Sequence, residues 1–151
     1  MTDRIRLYDL IKESFLLLDF GDRLFLEKFA LTVPRYYALT HVAKEPGLSP
    51  SLLSRYMFCD KSNITRLIQG LANDGLIDRR PHETDGRSQR LYLTDAGTEL
   101  HRKAAAAHQQ YVKVRLMALE DCAADQATDI LAFLNHSLAE GLNSDPLALL
   151  N

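Results

Sequence analysis

No stretch of this sequence is both long and free of charge. Its most apolar run, FLLLDFGDRLFLEKFAL, is broken by Asp19, Asp22, Arg23, Glu27 and Lys28. That falls well short of the roughly 18 uninterrupted apolar residues a membrane-spanning helix needs. The first residues, MTDRIRLYDL, lack the basic start, apolar run and small-residue cleavage site of a signal peptide. Cysteine is scarce: Cys59 and Cys122 form neither a disulfide framework nor a C-x-x-C pair. A cytoplasmic protein is therefore expected. There is no glycine-rich phosphate loop, no nucleophile elbow and no metalloprotease histidine pair, so neither enzymatic activity nor a cofactor is expected. Of the histidines, only His101 and His108 share a helical face. They stand two turns apart, too far to chelate one ion together, and no metal site is expected. Internal repeats and low-complexity linkers are absent as well.

What is present is a local concentration of positive charge. The formal net charge is −2 over 151 residues, yet RRPHETDGRSQR, from Arg79 to Arg90, carries four arginines. From Ser51 to Thr94 there are seven Lys and Arg against five Asp and Glu; from Asp95 onward there are four against eight. The middle third is where an anion would be received.

The spacing of apolar residues predicts a mostly helical chain. Residues from about Asp3 to Phe29 read as one helix, with Leu7, Leu10, Ile11, Leu17, Leu18 and Leu24 on a broad face. Phe15, Leu16, Phe20, Phe25 and Leu26 widen that face almost all round. Such a helix needs more than one partner surface, either deep in its own subunit or between two subunits. In a chain this short the second is the stronger expectation. Thr32, Ser49 and Asp60 are candidate N-caps for three further helices, with Pro34 and Pro50 in first turns. In DKSNITRLIQGLANDGL, Ile64, Leu67, Ile68 and Leu71 recur at i, i+3, i+4 and i+7 and form one buried stripe. Gly75 suits the left-handed position after that helix, with Leu76 closing back on Leu71. The period then changes. LIDRR and QRLYL read as extended segments around a turn at Asp85-Gly86. Thr94 caps a return to helix, split near Glu120 and ending around Gly141, and the Ala104–Ala107 run permits close helix approach.

Short helices, a tight turn and a hairpin make a winged helix-turn-helix, whose second helix has the size of a DNA major groove. With the apolar stripe inward, Ser62, Asn63, Thr65, Arg66 and Gln69 face outward, and no acidic side chain lies between Lys61 and Asn73. Arginine can pair with guanine, and Gln or Asn with adenine. At the wing tip Arg87 reaches toward phosphate or the minor groove, where the concentrated negative potential favours arginine. Asp85 is placed to orient that guanidinium. Arg79 and Arg90 flank the strands as phosphate contacts or salt-bridge partners. Ser49, Ser51 and Lys61, at the starts of the two short helices, complete the expected DNA contacts.

LTVPRYYAL, DKSNITRLIQGLANDGLIDRR and DGRSQRLYLTDAGTEL together resemble the multiple-antibiotic-resistance regulator (MarR) family, from about Leu31 to Leu100. The D-x-R wing followed by L-x-L-T-x-x-G is the most specific part. The resemblance implies a homodimeric winged-helix transcription factor, usually a repressor, on a pseudo-palindromic operator in double-stranded DNA. It implies a dimerisation helix over 1–30, a DNA-binding domain over 31–94 and dimerisation helices over 95–151. It places DNA contacts at Ser62, Asn63, Thr65, Arg66, Asp85 and Arg87. It also implies a small effector, often an aromatic acid, in a crevice between dimer helices and winged domain. Arg23, Arg35, Tyr36, Tyr37 and Tyr111 lie in the helices that would line it. Two alternatives stay open: a redox response through Cys59, and a winged-helix interaction module without DNA binding. Many relatives have glycine where this chain has Phe58. A bulky residue there is not expected to take a positive φ cheaply, and packing it inward is the alternative.

Overall fold

The structure, a computed structural model, describes residues 3–84 and 88–142. The chain divides into two compact units, 1–110 and 111–151. In chain order the elements are α1 (Arg4–Leu26), a 3-10 turn (Glu27–Phe29), α2 (Val33–Lys44), α3 (Pro50–Tyr56), α4 (Lys61–Asn73), β1 (Ile77–Pro81), β2 (Gln89–Leu93), α5 (Asp95–Arg115) and α6 (Asp121–Gly141). The chain is mostly α, with one antiparallel hairpin as its wing.

The expected caps are in place. Thr32, Ser49 and Asp60 each accept a backbone N–H, from Arg35, Leu52 and Asn63, at 3.4, 3.2 and 2.9 Å. These bonds satisfy amides that have no partner within their own helix. α4 ends as its sequence predicts. Gly75 has φ of 69°, its N–H donates to Ala72 O at 3.0 Å, and Leu76 N–H donates to Leu71 O at 2.9 Å. This paired closure makes a helix stop sharply and turn.

The core of the first unit lies where α2, α3 and α4 meet the wing. Leu39, Val42, Leu53, Ile64, Ile68, Leu71 and Leu91 are all buried there. Each such side chain contributes about 1.5–3 kcal/mol relative to exposure. Of the predicted α4 stripe, Leu67 is only half-buried. β1 and β2 pair with Ile77 opposite Leu93 and Arg79 opposite Leu91. The loop before α3 adds a bridge that sequence reading did not foresee: Gly47 N–H donates to Leu91 O at 2.8 Å and Leu91 N–H to Leu48 O at 2.9 Å. Leu48 is thereby buried, and the wing is tied to the helix-turn-helix.

Two further observations bear on the expectations. Phe58 takes the positive φ that sequence reading judged costly, at 48°, and it does not pack inward, being 80% exposed. The turn overrides the preference because Cys59 N–H donates to Ser54 O at 3.1 Å and Cys59 O accepts from the Ser54 hydroxyl at 2.5 Å. Closing α3 onto α4 through those bonds fixes the intervening residue in the left-handed region, at about 1–2 kcal/mol for a non-glycine. α1 buries only Leu26 of its 23 residues, while Leu7, Leu10, Phe15, Leu16, Phe20 and Leu24 are each about half exposed or more. In the second unit, α6 begins after Glu120, buries none of its residues and exposes Ile130, Phe133 and Leu138.

The L-x-L-T-x-x-G pattern has a physical basis in this fold. Thr94 Oγ1 donates to Gly75 O at 2.6 Å and accepts from Gly97 N–H at 3.0 Å, and Thr94 N–H donates to Leu76 O at 3.2 Å. A Cβ at Gly97 would stand 2.0 Å from Leu76 O, a backbone atom that cannot rotate away. Gly97→Ala is therefore expected to destabilise the protein by about 3 kcal/mol, the upper end for overpacking, as measured by urea denaturation. Gly70→Ala, where an added Cβ meets nothing within 4 Å, should be neutral or stabilising. Equal midpoints for the two variants would contradict this packing.

Candidate nucleic-acid interface

α4 presents two chemically distinct faces. Ile64, Ile68 and Leu71 are buried, whereas Lys61, Ser62, Asn63, Thr65, Arg66 and Gln69 are all exposed. The cause is the 3.6-residue repeat: the apolar stripe follows i, i+4 and i+7, so the polar residues between point outward. No acidic side chain falls on that outer face within α4. Ser51 is exposed in the first turn of α3, while Ser49 is used as that helix's cap.

The polar side chains are held by local bonds. The Ser62 hydroxyl donates to Asp60 Oδ1 at 2.7 Å and the Asn63 amide to Asp60 Oδ2 at 2.5 Å. Thr65 Oγ1 donates to Lys61 O at 2.8 Å, and the Gln69 amide to Asn73 at 2.6 Å. Asp60 is more than a cap: it collects the donors that would otherwise rotate freely at the start of the helix. Sequence reading gave it only the first role, although a capping Asp followed by Ser and Asn within three residues carries the signal.

Several arginines of the molecule are held in ion pairs. Arg23 pairs with Asp19 at 3.2 Å, Arg35 with Asp74, Arg80 with Asp78 at 3.5 Å and Arg102 with Glu99 at 2.9 Å. Among the described residues, Lys61, Arg66 and Arg79 have no such partner and are exposed. Arg90, expected as a phosphate contact or salt-bridge partner, has no carboxylate beside it among the described residues; its Nη2 lies 2.9 Å from His82 Nε2. Arg80, which sequence reading left unassigned, stacks over the Tyr92 ring at 4.4 Å from its centroid. Asp85 and Arg87 lie outside the described residues.

Of the residues expected to line an effector crevice, Arg23 borders a cavity of the first unit, and Arg35, Tyr36 and Tyr37 have polar partners there. Arg23 lines a cavity of about 350 Å³ with Leu31, Val33 and Pro34. Arg35 is turned to Asp74 at the end of α4. Tyr36 is buried, its hydroxyl 3.4 Å from His108 Nδ1. The Tyr37 hydroxyl donates to Asp22 at 3.4 Å; burial first, and then the Asp22 charge, push its pKa up to about 12. Tyr111 belongs to the second unit, where the Arg115 guanidinium lies 5.4 Å from its ring centroid. A larger cavity, about 540 Å³, opens elsewhere in the first unit. Val42 and Ala43 of α2, Tyr92 of β2, and His101, Arg102 and Ala105 of α5 are among its walls. His101, whose Nε2 lies 3.1 Å from Thr40 Oγ1, has its pKa lowered by burial and by Lys44. Cys59 is a free thiol, half-buried against the core.

Residues 31–88 match the family model described as MarR family. Over this segment the chain is similar to the MarR family. It is 37% identical over 82 residues to an uncharacterized HTH-type transcriptional regulator of Mycobacterium leprae, a match covering 54% of this chain and 57% of that protein. The chain thus spans a little over half the length of the curated relatives it matches first. Among solved structures it is similar to AbsC, a MarR family transcriptional regulator from Streptomyces coelicolor, with a TM-score of 0.83 at 24% identity, covering 93% of this chain and 97% of that one. It is also similar to Streptococcus pneumoniae FabT in complex with DNA, with a TM-score of 0.78 at 20% identity, covering 91% and 99%. At these identities the structures show the fold, and the fold is the winged helix of this family. Among the described residues, no helix is long and apolar enough to cross a membrane.

The Asp60 geometry carries a pH signature. Hydrogen bonds from Asn63 N–H and then the Ser62 hydroxyl lower its pKa from 3.8 to about 2. A carboxylate depressed on folding contributes stability that is full above its unfolded value and is lost as pH falls through the folded value. Asp60→Asn keeps a capping side chain without the charge. The difference in thermal midpoint between wild type and Asp60→Asn should therefore shrink as pH falls from about 4 to about 2. A difference that stays constant over that window would contradict the assignment.

Proposed function

We propose that the chain is a sequence-specific, double-stranded DNA-binding transcriptional regulator, acting in the cytoplasm as a homodimeric repressor that a small effector releases from a pseudo-palindromic operator. One observation carries this reading: the outer face of α4 joins five exposed hydrogen-bonding side chains to cations without acidic partners. An ordinary solvated helix face mixes Glu with Lys, and an interaction module that had lost DNA binding would have no need of such a face. Phosphate contacts from Lys61, Arg79, Arg90 and Arg87, with Asp85 orienting Arg87 and Ser49 and Ser51 beside the backbone, would supply most of the affinity. Ser62, Asn63, Thr65, Arg66 and Gln69 would choose the sequence, once Ser62 and Asn63 exchange Asp60 for base edges.

The dimer reading draws support from the apolar side chains that α1 leaves exposed. Residues 1–30 and 95–151 would supply the interface, and 31–94 the reader. For the effector, the cavity between α2, β2 and α5 fits a small organic anion with an apolar body. Glu99 stands between Arg102 and Lys103, at 2.9 and 3.2 Å, so the cluster keeps a net positive charge. A ligand against Tyr92 would bear directly on the wing. Arg23, Arg35, Tyr36, Tyr37 and Tyr111 would then act around this site through the helices that carry it. Cys59, packed against the core, reads as a small hydrophobe rather than a redox sensor.

Fluorescence anisotropy with wild type and two variants tests the division of labour. Arg66→Ala should cost about 1–3 kcal/mol on a preferred duplex and less on a random one. Arg87→Ala should weaken both equally. Equal losses on both duplexes for Arg66→Ala would remove its assigned role.

A further inference from the structure

The loop end of the wing strands holds a hydrogen-bond arrangement that favours one imidazole tautomer. Arg90 Nη2 lies 2.9 Å from His82 Nε2. A guanidinium has donors and no lone pair, so this contact forms only when His82 Nε2 carries no proton. The imidazole N–H then sits on Nδ1 and donates to Thr84 Oγ1, 3.1 Å away. The Thr84 backbone N–H, 3.2 Å from the same Nδ1, competes for the opposite tautomer. The charge-assisted contact is the stronger of the two, and the exposed amide is free to turn to water.

The surroundings of Arg90 sharpen the point. It is half-buried, its Nε is enclosed without a hydrogen-bond partner among the described residues, and no carboxylate pairs with it. A Cβ added at Gly47 would stand 3.5 Å from Arg90 Nη1 and 3.0 Å from the Tyr92 hydroxyl. The side chain is thus enclosed on one side by the Gly47 loop and restrained on another by a neutral imidazole. Arg80, directly opposite in the strand register, has Asp78 as its counter-ion at 3.5 Å. Arg90 has none. A cation held in place and left uncompensated is prepared for an anion from outside the chain.

We propose that His82 is a positioning residue, whose Nε2 lone pair fixes the Arg90 guanidinium near the loop end of the wing for contact with a DNA phosphate. This rests on the DNA-binding reading above. It gives His82 a role distinct from direct contact: the imidazole aims the cation without adding charge. The tautomer is a consequence of the geometry and can be observed without DNA.

Two substitutions separate positioning from simple structure. In His82→Gln the amide oxygen can occupy the place of Nε2 and accept from Arg90; in His82→Asn it reaches only the place of Nδ1. Both are neutral amides in a half-buried loop position. The full chain is titrated with a fluorescein-labelled random-sequence duplex over a range of salt. His82→Asn should bind about tenfold more weakly than wild type, with a salt slope lower by about 1, the signature of one lost phosphate contact. His82→Gln should stay within about twofold. In the free protein, long-range nitrogen–proton NMR at neutral pH should show His82 protonated at Nδ1 and bare at Nε2. Indistinguishable binding by the two variants, or His82 protonated at Nε2, would overturn the proposal even where wild type binds the duplex. Failure of wild type to bind any duplex at low salt, with the Nδ1–H tautomer present, would instead overturn the DNA-binding reading and with it the phosphate role of Arg90.

Discussion

The hydroxyl of Thr94 is the point on which the first unit depends. It donates to the carbonyl of Gly75, where the reading helix α4 ends, and accepts from Gly97, where α5 begins. Its backbone amide reaches Leu76 at the entry to the hairpin. One residue therefore fixes the end of the reader, the base of the wing and the origin of the long helix relative to each other. Gly97 is needed because the Leu76 carbonyl occupies the place of a side chain. A change felt in the first turns of α5 has a rigid route to α4 and β2, since the close packing of Gly97 on the Leu76 carbonyl does not deform gradually. The cavity walled by α2, β2 and α5 lies beside this junction, which is why an effector there is mechanically sensible.

Charge is distributed with the same economy. A net charge of −2 gives the whole chain no attraction for DNA, and Arg23, Arg35, Arg80 and Arg102 are each matched to a carboxylate. Lys61, Arg66, Arg79 and Arg90, on α4 and the hairpin, have no carboxylate partner among the described residues. The polar side chains of α4 are meanwhile parked on Asp60, Lys61 and Asn73 rather than left to solvent. Their exchange for base edges trades one set of hydrogen bonds for another, so the net gain comes from fit to the correct sequence rather than from bond number.

Much of this was legible in the order of residues because the deciding interactions are local. Caps at Thr32, Ser49 and Asp60, the stop at Gly75-Leu76, the Ile64–Leu71 stripe and the switch to a period of two each depend on neighbours within a few positions. What escaped depends on distant ones. The bridge from Leu48 to Leu91 joins positions more than forty apart, and nothing around Leu48 announces it. Phe58 misled because residue preference was weighed without the Ser54–Cys59 bonds that close the turn over it. The partners of the aromatic and basic residues expected in one crevice also lie well apart in sequence: Arg35 is drawn to Asp74 and Tyr37 to Asp22. The His82–Arg90 contact needs the hairpin register before either residue has a partner.

The most direct test is the salt dependence of DNA binding by the whole chain, followed by anisotropy on the duplex upstream of its own coding sequence and on a scrambled duplex. A face of uncompensated cations around a polar reading helix requires binding that weakens steeply and log-linearly with salt, by roughly one unit of slope per phosphate contact. It also requires a preference for one duplex that survives at the higher salt concentrations. Salt-insensitive association, or none at low salt on either duplex, would contradict the account and return the α4 face to an ordinary solvated surface.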